Sequence, residues 1–161
     1  MDKKNDLKKL MLIKQSAVRK LLDDVTEEES VYRPYEKANN IRWLSGHLVY
    51  NAGLVLNNLG SKEKYPGDWA KKFSRGSVIN DDLLTYPSIM EIRDQLYSMY
   101  NEQHQLLDNM TTEDFTKNLD TIGESGDSPL RSIQFLCSHE FYHLGQIMMI
   151  RRILGRDRSF G

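Results

Sequence analysis

Residues 128–155, SPLRSIQFLCSHEFYHLGQIMMIRRILG, decide the fold class. Ser128 is an N-cap residue, and Pro129 stands at the first helical position, where its missing N–H costs nothing. Gly155 suits the left-handed residue just past a helix end. Between these marks Leu130, Ile133, Leu136, Cys137, Leu144, Ile147, Ile150 and Leu154 recur at helical spacing. The pattern predicts one long helix with an apolar stripe, the last of four.

The other three lie upstream. The first is expected from about Asn5 to about Asp24, with Leu7, Leu10, Met11, Ile13, Lys14, Ala17, Val18, Leu21 and Leu22 sharing a face. Thr26 to Pro34 is polar and broken, and Pro34 stops any continuation. The second starts after Asn39-Asn40, buries Ile41, Leu44, Leu48, Ala52, Val55 and Leu59, and ends at Gly60. Ser88-Ile-Met-Glu91 is a capping box that opens the third, which runs through Ile89, Ile92, Leu96, Met99, Tyr100, Gln103, Leu106 and Leu107 to Met110. Residues 61–87 are longer than a helical hairpin needs, Thr112 to Phe115 suit a short extra turn, and 120–128 suit a loop. No segment alternates with period two, so no sheet is expected. Four such helices make a four-helix bundle the natural packing solution, with a long crossover connection between the second and third helices.

The chain has 161 residues, 39% apolar and 28% charged, which suits one domain across 1–161. Its 22 basic and 23 acidic residues nearly cancel, so no global field draws in nucleic acid or an anionic membrane. Cys137 is the single cysteine, which excludes an intrachain disulfide and suits a reducing compartment. The opening Met-Asp-Lys-Lys-Asn-Asp is charged and resembles neither a signal nor a transit peptide, and no apolar run approaches a membrane span. A cytoplasmic protein is expected.

His139 and His143 are four residues apart on the last helix, which stacks them on one face about one turn apart. Leu136, Ile147 and Ile150 flank them, so the pair points toward the core edge, where unpartnered imidazoles are costly. His47 falls at the border of the second helix's buried stripe, between Leu44 and Leu48. If those helices face each other, three nitrogens converge on one divalent ion and leave open positions, as in a catalytic site. Against this stands the ordinary reading of a core-edge histidine as a hydrogen-bonded packing residue. Imidazole accepts several metals; zinc or nickel come first here, then iron or manganese. His104, between Gln103 and Gln105, is expected at the surface.

His139-Glu140-Phe141-Tyr142-His143 also matches the H-E-x-x-H of zinc hydrolases, with Glu140 as base. The extended form of that motif wants a later glycine and histidine, but Gly145 comes one residue early and no histidine follows. Glu140 is otherwise solvent-facing, supporting a ligand, or transferring a proton. Trp43 and Asn51, four residues either side of His47, and Gln146, one turn past His143, are candidate substrate-pocket residues. Core packing for Trp43 and a helix–helix hydrogen bond for Asn51 compete with that role. Cys137 is expected to be a small buried hydrophobe rather than a nucleophile. Arg151, Arg152, Arg156 and Arg158 suit the negative end of a helix dipole, with anion binding or a dimer contact as the other role.

Two segments, Asn40-Ile-Arg-Trp-Leu-Ser-Gly-His47-Leu and Ser138-His139-Glu-Phe-Tyr-His143-Leu-Gly-Gln146-Ile, with the closing Arg151-Arg-Ile-Leu-Gly155, resemble the DinB/YfiT-like superfamily of metalloenzymes. The resemblance spans essentially the whole chain. It implies a four-helix bundle, a three-histidine metal site and frequently a homodimer. It also implies relatives that transfer low-molecular-weight thiols such as bacillithiol or mycothiol, or act as thiol-dependent isomerases. The expectation is a metal-dependent enzyme that activates a small thiol or water against a small electrophile. A non-enzymatic metal-binding or interaction module is the alternative.

Overall fold

The computed structural model describes residues 2–62, 65–77, 79, 85–116 and 128–157. Its helices are α1 (Lys3–Leu22), α2 (Glu27–Ser30), α3 (Ile41–Asn58), α4 (Trp69–Phe73), α5 (Ile89–Asn109), α6 (Thr112–Thr116) and α7 (Pro129–Ile153). No strand occurs among the described residues, so the expected all-α class stands. Arg158 and nearly all of the loop expected over 120–128 lie outside the described residues.

The helix starts follow from short side-chain oxygens. Asn40 Oδ1 accepts from the Trp43 backbone N–H at 2.8 Å, and the Ser88–Glu91 capping box is formed in full. Ser128 Oγ accepts from Arg131 N–H at 3.3 Å, with Pro129 just inside the helix. α2 was not expected. Thr26 and Glu29 form a second capping box, and a one-turn helix follows where a broken segment was anticipated. Gly60 and Gly155 do take positive φ, 86° and 83°.

α3 packs against both α5 and α7, and α1 also packs against both. Side-chain bonds fix the directions. Lys4 Nζ donates to the Asp108 and Met110 carbonyls near the end of α5, each at 2.8 Å. Arg93, near the start of α5, reaches the Leu22 carbonyl at 2.8 Å, so α1 and α5 run antiparallel. Glu27 joins the starts of α3 and α5, pairing with Arg42 through one oxygen and accepting the Ile89 N–H at 3.0 Å through the other. Farther on, Gln103 donates to the Ala52 carbonyl at 3.0 Å, so α3 and α5 run in the same direction. That direction demands a return path about as long as α3 itself, roughly 27 Å at 1.5 Å per residue. The long segment between α3 and α5 supplies it.

Two apolar clusters fill the interior. One gathers Leu44, Leu48, Leu96, Leu144 and Ile147, with Phe73 and Tyr86 from the α3–α5 connection. The other gathers Leu7, Met11, Val55, Ile133 and Cys137. Ile13, expected on the buried stripe of α1, is 63% exposed, while Lys14 beside it is wholly buried. Arg151 is buried and Arg156 half-buried, and each is tied to a carboxylate. Arg151 grips both Asp24 carboxylate oxygens, at 2.5 and 3.1 Å, and Arg156 grips both of Glu29's, at 2.7 and 2.8 Å. These guanidinium pairs hold the Asp24 and Glu29 carboxyls below their ordinary range and tie the end of α7 to the ends of α1 and α2. Among the described residues no helix is long and apolar enough to cross a membrane.

Candidate metal centre

Gly46 decides how His47 is presented. A Cβ on Gly46 would lie 2.2 Å from the Phe73 ring, so only glycine lets α4 seat Phe73 directly on α3. That seating brings the Phe73 carbonyl to His47, whose Nδ1–H donates to it at 2.6 Å. One turn of α7 then offers His139 and His143, and the His143 Nδ1–H donates to Gln146 Oε1 at 2.9 Å. With both Nδ1 atoms carrying the proton, the Nε2 atoms of His47 and His143 keep bare lone pairs.

Those lone pairs converge. His139 Nε2 stands 3.3 Å from His47 Nε2 and 3.0 Å from His143 Nε2. The three ligand nitrogens all lie within 4.8 Å of one another. Two imidazoles on one tetrahedral zinc, each at about 2.0–2.1 Å from the ion, stand about 3.3 Å apart, so the spacing fits a shared ion. Proton counting points the same way. His139 Nε2 has at most one proton to give, and two lone pairs face it, so one pair stays unmatched without a cation.

The electrostatics disfavour the charged form of His47 and His143. Burial lowers the pKa of His47; the Phe73 carbonyl opposes this and the charge of His139 adds to it. Burial likewise brings His143 down to about 4, against the Gln146 hydrogen bond and with help from the neighbouring imidazoles. Metal binding needs deprotonated ligands, so at His47 and His143 burial has already disfavoured the competing proton.

A cavity of about 620 Å³ opens beside the three rings. Trp43, Asn51 and Gln146, the three candidate pocket residues, all line it. Trp43 stacks on His47 at 5.2 Å between centroids and an angle of 6°, while its Nε1–H donates to Ser77 Oγ at 3.1 Å. Tyr50, Phe135, Tyr142 and Arg75 also line the cavity and were not anticipated. Phe135 stands four residues before His139, the spacing that singled out His143, so the same helical reasoning was available for it.

The remaining candidates lie elsewhere. Glu140 is wholly buried, ion-paired to Lys14 at 2.8 Å and hydrogen-bonded by the Tyr100 hydroxyl at 3.2 Å. It is absent from the cavity lining, so the H-E-x-x-H reading has no base at the imidazoles. His104 is half-buried rather than on the surface, with Nε2 2.7 Å from Gln15 Oε1, and it too is absent from the cavity. Cys137 is buried, and burial pushes its thiol up to about 12, so it is no nucleophile.

No curated protein matches this chain. A family model described as the DinB superfamily matches residues 13–147, a span that contains all three converging histidines, half of α1 and most of α7. The chain belongs to the DinB superfamily.

Proposed function

We propose that His47, His139 and His143 hold one divalent metal ion, zinc or nickel before iron or manganese, in a metal-dependent enzyme of the thiol S-transferase kind. The observation that carries this is the set of three inward nitrogens, all within 4.8 Å, on the wall of a 620 Å³ cavity. Three protein ligands leave room in the coordination shell, and the cavity lies where that room would be. A saturated ion in a non-enzymatic module would need no such space, which favours the enzyme over the binding module.

A bound divalent ion lowers the pKa of a thiol or water that reaches it, so a nucleophile forms near neutral pH. The chain's own residues do the rest. The Phe73 carbonyl and Gln146 hold the His47 and His143 rings in the tautomer that presents Nε2. Trp43, Phe135 and Tyr142 give the cavity aromatic walls suited to a small apolar electrophile. The choice of a low-molecular-weight thiol as co-substrate draws its support from superfamily membership. We take the scaffold as one domain, a DinB/YfiT-like four-helix bundle of α1, α3, α5 and α7 with its long crossover connection between α3 and α5. A cytoplasmic setting, small-molecule partners and no nucleic-acid or membrane partner belong to the same reading.

The test is a panel of low-molecular-weight thiols incubated with metal-loaded protein and monochlorobimane. A C–S bond forms, chloride leaves and the thiol proton passes to solvent, with a rise in fluorescence. Metal-dependent adduct formation with at least one thiol is expected; none above the protein-free rate would sink the transferase reading.

A homodimer is part of the proposal. Leu12 and Ile13 on α1, with Phe141 and Met148 on α7, are exposed and line one apolar groove. Sedimentation is expected to give twice the chain mass, and Ile13→Glu the mass of one chain. A monomeric wild type would refute it.

A further inference from the structure

We propose that Lys14 and Glu140, with Tyr100, act as a rotational lock on α7 that keeps His139 and His143 aimed at His47. They are positioning residues, and the inference rests on the reading that the three histidines share an ion.

The three side chains come from three helices and meet where solvent does not reach. Lys14 and Glu140 are 0% exposed, with Nζ 2.8 Å from Oε2. The Tyr100 hydroxyl donates to the same oxygen at 3.2 Å, and the ammonium sits 4.4 Å from the centre of the Tyr100 ring. Neither Glu140 Oε1 nor Lys14 Nζ has a hydrogen-bond partner among the described residues, so the pair is held by charge and by the Tyr100 bond. An ion pair so buried, with one oxygen unmatched, adds little to stability: well-packed apolar residues in its place are often neutral or better. The neighbouring side chains, Cys137, Leu136 and Leu144, are already of that kind. Stability is therefore a poor account of why charge sits here, and direction is a better one.

Helix geometry shows what the direction controls. At about 100° per residue, His139 stands about 100° and His143 about 60° from Glu140 around α7, both to the same side. Turning α7 moves both imidazoles in the same sense relative to His47. Their Nε2 atoms lie roughly 6 Å from the helix axis, so a turn of about 10° swings them by about 1 Å. Coordination tolerates about 0.2 Å. Apolar contacts between helices are non-directional one by one and set the angle of α7 less sharply than a hydrogen bond does. The Tyr100 hydroxyl bond to Glu140 Oε2 is directional, the Lys14 ammonium at 2.8 Å adds attraction to the same oxygen, and Glu140 lies inside the same helical turn as the two histidines. Arg151 fastens α7 to α1 as well, through Asp24 and the Leu21 carbonyl, but three turns farther on.

The experiment uses the 161-residue chain and cobalt as the metal, since its visible spectrum reports ligand geometry. Lys14→Met/Tyr100→Phe/Glu140→Leu replaces the whole cluster with apolar residues and leaves no unpaired charge. The metal-free triple variant is expected to melt at or above the wild-type temperature, yet bind cobalt at least ~10-fold more weakly with an altered spectrum. A merely structural role would move the melting temperature and leave the spectrum alone. Glu140→Gln, which keeps the volume and the Tyr100 hydrogen bond, is the second variant and is expected to shift the spectrum in the same way. Wild-type affinity and spectrum in whichever variant keeps a cooperative melt would overturn the lock. A wild-type protein that binds no cobalt would overturn the metal reading, and the lock with it.

Discussion

Alanine at position 143 is expected to weaken metal binding by more than ~100-fold while leaving the helices folded. His143 contributes one of three nitrogens, and its Nε2 stands 3.0 Å from that of His139. Removing it leaves two ligands and exposes the ion on its cavity side. Outer groups that only orient a ligand already cost about 10–100-fold when removed, and losing the ligand itself costs more. The stability penalty is smaller, about 1–3 kcal/mol, because the ring borders a cavity and not the closed core. Elemental analysis of wild type and His143→Ala purified side by side, followed by cobalt titration, measures both. Equal metal content in the two proteins would take His143 out of the ligand set and end the three-histidine reading.

Gly46→Ala is expected to lower both stability and metal affinity, although residue 46 neither lines the cavity nor belongs to the three-histidine set. The added methyl would meet three atoms of the Phe73 ring at 2.2–2.4 Å, far inside contact distance. Phe73 cannot step aside alone. It is fully buried, stacked on Tyr86 at 5.5 Å and set edge-on to Trp69 at 5.8 Å. Overpacking of this kind costs about 1–3 kcal/mol. For a chain of this size each kcal/mol lowers the melting temperature by about 2–4 °C. As Phe73 moves, its carbonyl leaves His47 Nδ1, and the lost orientation is expected to weaken metal binding by about 10–100-fold. Gly145→Ala is the control. It lies in the α1–α7 groove, away from the cavity, with nothing in the chain within 4 Å of the added methyl, and alanine there is expected to leave metal affinity unchanged. Thermal melts and metal titrations of the pair check both halves. A Gly46→Ala protein that melts and binds like wild type would show that Phe73 has no fixed seat on α3.

Local chemistry was legible where a residue type carries its own meaning. Asn40, Ser88 and Ser128 mark helix starts because their oxygens cap free N–H groups, and the structure puts α3, α5 and α7 behind them. The convergence of His47, His139 and His143 followed from helical period and burial, although their spacing to one ion depended on which helices face each other. Other features were hidden for stated reasons. Thr26 and Glu29 formed a capping box that the polar run around them obscured. Phe73 orients His47 through a backbone carbonyl, a group every residue has, so no side-chain pattern announces it. Lys14 sat on an apolar stripe without apparent cause, because Glu140, the partner that explains it, is far away in sequence. Ile13 was placed in the core by the same stripe, yet it faces outward, since period alone does not say where a neighbouring helix stops.

The pairing of α1 and α3 with α7 has a consequence for the order in which the molecule is made. His47 meets His139 across 92 positions, and Arg151 meets the Leu21 carbonyl across 130. A ribosome adds residues at about 5–20 per second, so the first imidazole emerges seconds before its companions. Through that interval the nascent chain has His47 on α3 and His104 on α5, which lies away from the cavity, but neither imidazole of α7. On the proposed metal reading, ion retention waits for α7 to dock, and translation halted before residue 139 would release a chain with only one of the three proposed ligands.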